Sequence, residues 1–353
     1  MGAMALRDLV HRFVHPVLAA RALGRGRPRL VTVGGERVAL WRDADGIPRA
    51  VADACPHRNA PLSLGRVRAD GRLACRYHGW NFDGEGRGAC PSQPTLKCHA
   101  RAFHVTERDG YLWLASDASR APVPLPTFPG CQLAASFSTR FEAPVHITLD
   151  NFTEDEHFPY VHALLGWGED DWPRVSYEAQ LHADYTEATY VGPQRPSASL
   201  PLIGVRAGDL FVNHFTTRFD PLRTVYTSHW ECPETRVRRP VESRTVVFMV
   251  PESEGVTMFH TFVYAKVDPR SGYARIEPLL KVLAHVIVRG EWWMDARWVK
   301  NLAHTAPTLH GLRLGRFDKT LIRNRRLLRT HYFGDAPAPG ESARDLTTAD
   351  APA

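Results

Sequence analysis

Two cysteines and two histidines fall into two short segments of matching shape. The first is Cys55-Pro56-His57; seventeen residues later comes Cys75-Arg76-Tyr77-His78. Four cysteines would suit an ordinary ferredoxin cluster or zinc. Two thiolates with two imidazoles, one of each per segment, suit a [2Fe–2S] centre in which the thiolates hold one iron and the imidazoles the other. Neutral imidazoles in place of thiolates reduce the negative charge on the cluster and raise its potential. Zinc accepts the same donors, but a zinc finger pairs its cysteines and then its histidines, and here the two types alternate. Gly65, Gly71 and Gly79 allow the tight loops such ligands need.

A second group of donors lies in Asp150-Asn151-Phe152-Thr153-Glu154-Asp155-Glu156-His157-Phe158-Pro159-Tyr160-Val161-His162. On a regular helix five residues turn about 500°, so His157 and His162 would point about 140° apart. Convergence on one ion requires a distorted helix, and Pro159 supplies a reason, because it removes an N–H from the ladder. Two histidines with one carboxylate can occupy one face of a ferrous ion and leave the other face open for O2 and substrate. The carboxylate must come from further along the chain.

The segments Cys55-Pro-His-Arg-Asn-Ala-Pro-Leu-Ser-Leu-Gly65 and Cys75-Arg-Tyr-His-Gly-Trp-Asn-Phe82 resemble the cluster loops of Rieske non-haem iron oxygenases, the ring-hydroxylating oxygenase α-subunit family, and the His157/His162 block resembles that family's iron-binding helix. Asn59 stands where many members have glycine; asparagine tolerates the left-handed conformation. Respiratory Rieske proteins carry an extra cysteine pair in these loops, whereas this chain has Ala60 and Tyr77 there. The stretch from Arg316 to Leu328 is similar to the C-terminus of the aminopyrrolnitrin-oxygenase type.

The resemblance implies that Cys55, His57, Cys75 and His78 bind the [2Fe–2S] cluster and that His157 and His162 bind a mononuclear Fe(II). It places the carboxylate ligand in a late helix, which makes Asp295 the first choice; Asp318, among Lys319 and several arginines, and Glu291, one turn before Asp295, are the rivals. It also implies that an acid three residues before the first histidine, Glu154 or alternatively its neighbour Asp155, joins a cluster histidine of one subunit to an iron histidine of the next. Such head-to-tail contacts close into a homotrimer. No Gly-x-Gly-x-x-Gly follows a strand, so electrons from NAD(P)H are expected through a separate reductase and a ferredoxin, with O2 as co-substrate.

These ligands need two kinds of scaffold. Residues 28–125 read as a small all-β unit: Leu30–Val33, a Gly34-Gly35 turn and Arg37–Trp41 form a hairpin, with turns at Asp43–Gly46 and Asp83–Gly88 and a strand at Gly110–Leu114. The proline-rich run 121–126 reads as a linker. Residues 126–334 are expected to be mixed: a helical block after Asp150, strands near 224–230, 245–250 and 256–266, and a long helix over 276–303 with a break near Gly290. Residues 1–27 form an N-terminal segment and 335–353 a disordered tail. The fold class expected is α+β, an all-β Rieske domain followed by a helix-grip (START-like) catalytic domain.

The 353 residues allow two domains, and 44% hydrophobic with 23% charged residues is ordinary globular composition. A net charge of +6 accompanies no nucleic-acid motif; it suits docking of an acidic partner or a solvated arginine-rich surface. Six cysteines are too few for a secreted disulfide scaffold; Cys90, Cys98, Cys131 and Cys232 read as small buried residues. No run approaches 18 apolar residues and no leader peptide is visible, so a cytoplasmic location is expected. Trp167, Trp172, Trp292, Trp293 and Trp298 are candidates for a substrate pocket, and His99, His104, His285, His304, His310 and His331 read as structural. The function expected is monooxygenation of a small aromatic or secondary-metabolite substrate. Its rivals are a cis-dihydroxylating dioxygenase, a Rieske electron-transfer protein and a non-enzymatic ligand-binding module.

Overall fold

A computed structural model describes residues 6–197, 199–302, 305–309 and 311–335. The chain forms two compact units, Met1–Leu125 with Val250–Glu254, and Pro126–Met249 with Gly255–Ala353. His304, His310 and all of the expected tail except Asp335 lie outside the described residues.

After a helical turn, α1 (Leu9–Arg12), the first unit is all β. Strands β1 (His15–Ala19), β2 (Arg29–Val33), β3 (Glu36–Arg42), β4 (Pro48–Ala52), β10 (Ala102–Arg108) and β11 (Tyr111–Ala115) form a six-stranded sheet in the order β1-β11-β10-β4-β3-β2. A smaller sheet runs in sequence through β5 (Arg66–Val67), β6 (Leu73–Ala74), β7 (Asn81–Phe82), β8 (Arg87–Ala89) and β9 (Lys97–His99). The expected hairpin is β2–β3; Gly34 and Gly35 both have positive φ, +59° and +83°, as a type I′ turn requires. Residues of the N-terminal segment contribute β1, which pairs with β11. A core of Ala39, Trp41, Val51, Leu62, Leu73 and Phe82 packs directly against Cys55 and Cys75.

The second unit is a seven-stranded antiparallel sheet packed on a long helix, so the chain as a whole is α+β. Its strands are β12 (Gln132–Phe141), β13 (Ser176–Leu181), β14 (Tyr185–Pro193), β15 (Leu210–Phe219), β16 (Leu222–Glu231), β17 (Arg238–Ser253) and β18 (Val256–Val267), in the order β12-β18-β17-β16-β15-β14-β13. The helices are α2 (Val145–Asn151), α3 (Phe158–Val161), α4 (Glu277–Val299) and α5 (Lys319–Leu327). Helix α4 rests on β12 and β18. It runs through Gly290 without a break and ends four residues earlier than expected. One glycine costs only about 1 kcal/mol in a helix interior, and the packing of the flanking turns carries the helix across it.

The expectation of a helical block after Asp150 needs correction. Helix α2 precedes and includes Asp150, ending at Asn151, and residues 152–157 are non-helical. Only one further turn, α3, follows. Its N-cap is His157 and its C-cap is His162, the latter extended at φ −93°, ψ 148°. Pro159 lies in the first turn, where its missing N–H has no helical acceptor to lose. The histidines therefore converge because they flank a single turn, and no proline distortion is involved.

Candidate metal centres

In the first unit the two ligand segments form loops of the same construction. Cys55 N–H donates to the Ala60 carbonyl (2.9 Å) and Asn59 N–H returns to the Cys55 carbonyl (2.7 Å); Cys75 N–H donates to the Trp80 carbonyl (2.7 Å) and Gly79 N–H returns to the Cys75 carbonyl (3.0 Å). The residue four after each cysteine is left-handed in both: Asn59 has φ +55° and Gly79 φ +74°. Asparagine meets this demand where most residues would be strained. Asp53 braces the first loop, accepting from Ser63 N–H at 2.6 Å and from Arg37 at 2.8 Å.

The two thiols are buried, and the imidazoles lie nearer the surface with ring centroids 4.5 Å apart. His57 stacks on Trp80 at 4.7 Å. Burial, with Cys75 as neighbour, pushes the Cys55 thiol up to about 11, which disfavours a bare thiolate there. His57 Nδ1 is buried with no protein partner. The donor set thus fits a group held between the loops. Cys90 is buried, as expected, but Cys98, Cys131 and Cys232 are only half-buried, because each lies on a sheet margin or turn. Cys232 Sγ contacts Glu234 at 2.9 Å.

In the second unit, α3 delivers His157 and His162 and the buried face of α4 delivers Asp295. His157 Nε2 and His162 Nε2 are 3.0 Å apart, and Asp295 Oδ1 is 3.4 Å and 3.5 Å from them. Those three edges leave a point about 1.9 Å from all three atoms, close to the usual metal–ligand distance of about 2.1 Å, so the three donors would fit one ion. Asp295 Oδ1 is buried with no hydrogen bond from the protein. Among the described residues this trio alone converges within 4.8 Å in the manner of a single-ion site. Asp318 lies elsewhere, capping α5 and accepting from Gly315 N–H at 2.6 Å.

Both imidazoles have a carboxylate on the outer nitrogen: Glu154 Oε1 lies 2.5 Å from His157 Nδ1, and Glu291 Oε2 lies 2.5 Å from His162 Nδ1. Glu291 and Asp295, four apart on α4, share its buried face. The rival for the iron thus faces the iron's histidine from behind. Burial alone would lower the His157 pKa, but Glu154, with Asp295 and Asp155, outweighs it and raises it to about 9. Asp155 points inward and accepts from Asn213 Nδ2 at 2.8 Å; burial raises its pKa to about 7.

The surrounding chain holds this loop in place. Arg195 donates to the carbonyls of Phe158 (2.7 Å), His162 (2.8 Å) and Leu165 (2.9 Å). Arg325 of α5 makes a two-point pair with Asp150 (2.8 and 2.5 Å), and Thr320 Oγ1 donates to the Thr153 carbonyl at 3.1 Å. Neither Arg195 nor Arg325 is identifiable from local sequence, since their partners are 30 to 175 residues away. His99, His104 and His331 bond neighbouring groups, and His285 packs on Phe137.

The iron donors open on a cavity of about 960 Å³, mouth included, walled mainly by apolar side chains. Trp292 lines it, while Trp293 and Trp298 are exposed and Trp167 is wholly buried beside Phe158. Trp230, which pattern reading missed, lines it too.

Residues 13–127 match the Rieske [2Fe–2S] domain family. The chain is 33% identical to protein TIC 55 of Arabidopsis thaliana over 162 residues, 42% of this chain and 30% of the relative, and 34% identical to the dicamba O-demethylase oxygenase component of Stenotrophomonas maltophilia over 160 residues, 41% of this chain and 44% of the relative. These matches span less than half of the relatives' own lengths. A solved structure of dicamba monooxygenase bound to 3,6-dichlorosalicylic acid superposes with a TM-score of 0.65 at 21% identity, covering 89% of this chain and 95% of that one. The chain therefore carries a Rieske [2Fe–2S] domain, is similar over part of its length to the oxygenase component of dicamba O-demethylase, and shares the fold of dicamba monooxygenase.

Proposed function

We propose that the protein is the oxygenase component of a Rieske non-haem iron system that monooxygenates a small aromatic or secondary-metabolite substrate by hydroxylation, demethylation or N-oxidation. The observation that carries this reading is the trio of donor atoms 3.0 to 3.5 Å apart at the wall of an apolar cavity, in a chain that also holds the two Cys/His loops. Cys55, His57, Cys75 and His78 hold the cluster, in a domain over residues 28–125. His157, His162 and Asp295 hold the iron, in a domain over 126–334. When bound, the two centres supply electron delivery and O2 activation.

The protein's own groups do the rest. Glu154 accepts the Nδ1–H hydrogen bond of His157, which fixes that tautomer and leaves Nε2 as the metal donor, and Glu291, 2.5 Å from His162 Nδ1, sets a negative charge behind the second imidazole. The apolar wall excludes water and orients the substrate. Glu154 is the better candidate for the link between subunits: it keeps 19% side-chain exposure while holding His157, whereas Asp155 is committed inward to Asn213. That link makes the working assembly a homotrimer. Electrons come from NAD(P)H through a separate reductase or ferredoxin, for which the net charge of +6 suits an acidic docking partner. The stretch Arg316–Leu328, which we read from its sequence as similar to the C-terminus of the aminopyrrolnitrin-oxygenase type, braces the iron loop through Arg325. The cytoplasm is the compartment we assign; among the described residues no helix is long and apolar enough to cross a membrane.

Turnover under 18O2 with a purified reductase and a panel of small aromatic compounds tests the proposal. One 18O atom of each O2 is expected in the organic product or in the released one-carbon fragment, and the other in water. Two labelled atoms in one product refute monooxygenation, and no incorporation into any compound refutes the oxygenase assignment.

A further inference from the structure

The wall of the cavity carries information about charge. Phe211, Trp230 and Val241 from the sheet face Leu283, Ile287 and Trp292 from α4. The polar groups away from the iron donors are neutral: Asn213, Tyr226, Ser228, Ser243 and Thr245. Asn213 is occupied, donating to Asp155 and accepting from Ser228 Oγ at 2.8 Å. Tyr226 donates its hydroxyl to the Phe152 carbonyl. Among the described lining residues there is no lysine or arginine. Arg195 is spent on main-chain carbonyls. Arg244, between the lining residues Ser243 and Thr245, points to the other face of β17 and pairs with Glu242 at 3.0 Å.

Against this, four carboxylates line the same cavity: Glu154, Asp155, Glu291 and Asp295. Glu154 and Asp155 are hydrogen-bonded to His157 and Asn213, Glu291 stands 2.5 Å from His162 Nδ1, and Asp295 lies at the metal position, so each is engaged by a neighbour while the four together present an unfavourable field to an anion. A carboxylate entering here loses its water and meets no lysine or arginine among the described lining residues, a combination that buried sites disfavour.

Building on the oxygenase reading, we infer that the substrate is an uncharged, mainly apolar molecule, anchored by at most one or two neutral hydrogen-bonding groups, with Ser243 and Thr245 the hydroxyls placed to meet them. Aromatic carboxylates are excluded.

The test uses the full chain with both metal centres loaded and reads binding without turnover, by calorimetry and by quenching of tryptophan fluorescence. The probes are methyl 4-methoxybenzoate, 4-methoxybenzoate and 4-methoxybenzylamine at pH 7.5. The ester is expected to bind at least tenfold more tightly than the carboxylate, and Ser243→Lys or Thr245→Lys to narrow that ratio. A carboxylate or a protonated amine bound as tightly as the ester overturns the inference, as does failure of a panel of neutral aryl ethers to bind at millimolar concentration. If the ester is preferred but no 18O is incorporated into any compound, the oxygenase reading falls and the charge selectivity stands.

Discussion

Replacing Glu291 tests the most specific feature of the iron site. Its carboxylate is 2.5 Å from His162 Nδ1, it is 3% exposed, and neither of its oxygens is hydrogen-bonded among the described residues. Loss of a carboxylate behind a metal-bound histidine typically weakens metal binding 10- to 100-fold, about 1.4 to 2.7 kcal/mol. Burial puts Glu291→Ala at the upper end, because no water can step in to hold the tautomer. Glu291→Gln retains an acceptor in the same place and should lose about tenfold. Glu154→Ala should also lose about tenfold, since Glu154 is 19% exposed and solvent can replace part of the contact. The assay is titration of iron-depleted protein with Co(II) against a chelator, alongside the visible spectrum of the [2Fe–2S] cluster, which should not change. Affinity within twofold of wild type for Glu291→Ala would refute the role. Abolished binding in Glu291→Gln with binding retained in Asp295→Asn would exchange the assignments of the two carboxylates.

Three other consequences can be measured on the folded protein. Burial lowers the pKa of His15 to about 4, so the folded state resists protonation that the unfolded chain accepts; the stability contributed by neutral His15 is whole above pH 6.5 and lost as pH falls toward 4, about 3 kcal/mol in all. Denaturant unfolding of wild type against His15→Gln should show their stability difference shifting by that amount across this window, and a constant difference would contradict it. Arg325→Met strands the largely buried Asp150, whose pKa burial already raises to about 6 against the pull of Arg325; a cost of about 3 kcal/mol or more is expected at pH 8 and less at pH 5, with weakened iron retention, and unchanged unfolding and iron content would remove α5 as the brace. Asn59→Val forces a β-branched residue to φ +55°, costing about 1–2 kcal/mol, whereas Asn59→Gly should hold or gain stability; equal cluster half-lives in the two variants would show that the loop does not depend on that backbone geometry.

The legibility of this chain in its sequence follows the range of its interactions. Each cluster loop closes on itself within six residues, from Cys55 to Ala60 and from Cys75 to Trp80, so ligand types and spacing already describe the local structure. The hairpin at Gly34-Gly35 is legible for the same reason. The iron site is assembled over longer distances. Spacing pointed to a distorted helix around Pro159, while the chain uses one turn capped by both histidines, a solution that periodicity cannot distinguish because both bring the rings together. Glu291 and Asp295 are equivalent by helical spacing; only the packing of α4 against α3 decides which carboxylate faces a nitrogen from behind. Trp292 and Trp293 are adjacent in sequence, yet one lines the cavity and the other is 58% exposed.

The central claim is that one chain holds a two-iron cluster and a separate mononuclear iron. Mössbauer spectroscopy of 57Fe-enriched, reduced protein tests it most directly, with quantified iron per chain. Three irons are expected: a valence-localised pair from the cluster and one isolated high-spin ferrous site, with Asp295→Ala losing that third signal and turnover while keeping the cluster's visible spectrum. Two irons per chain in the wild-type protein, or an Asp295→Ala protein that keeps all three and remains active, would contradict it.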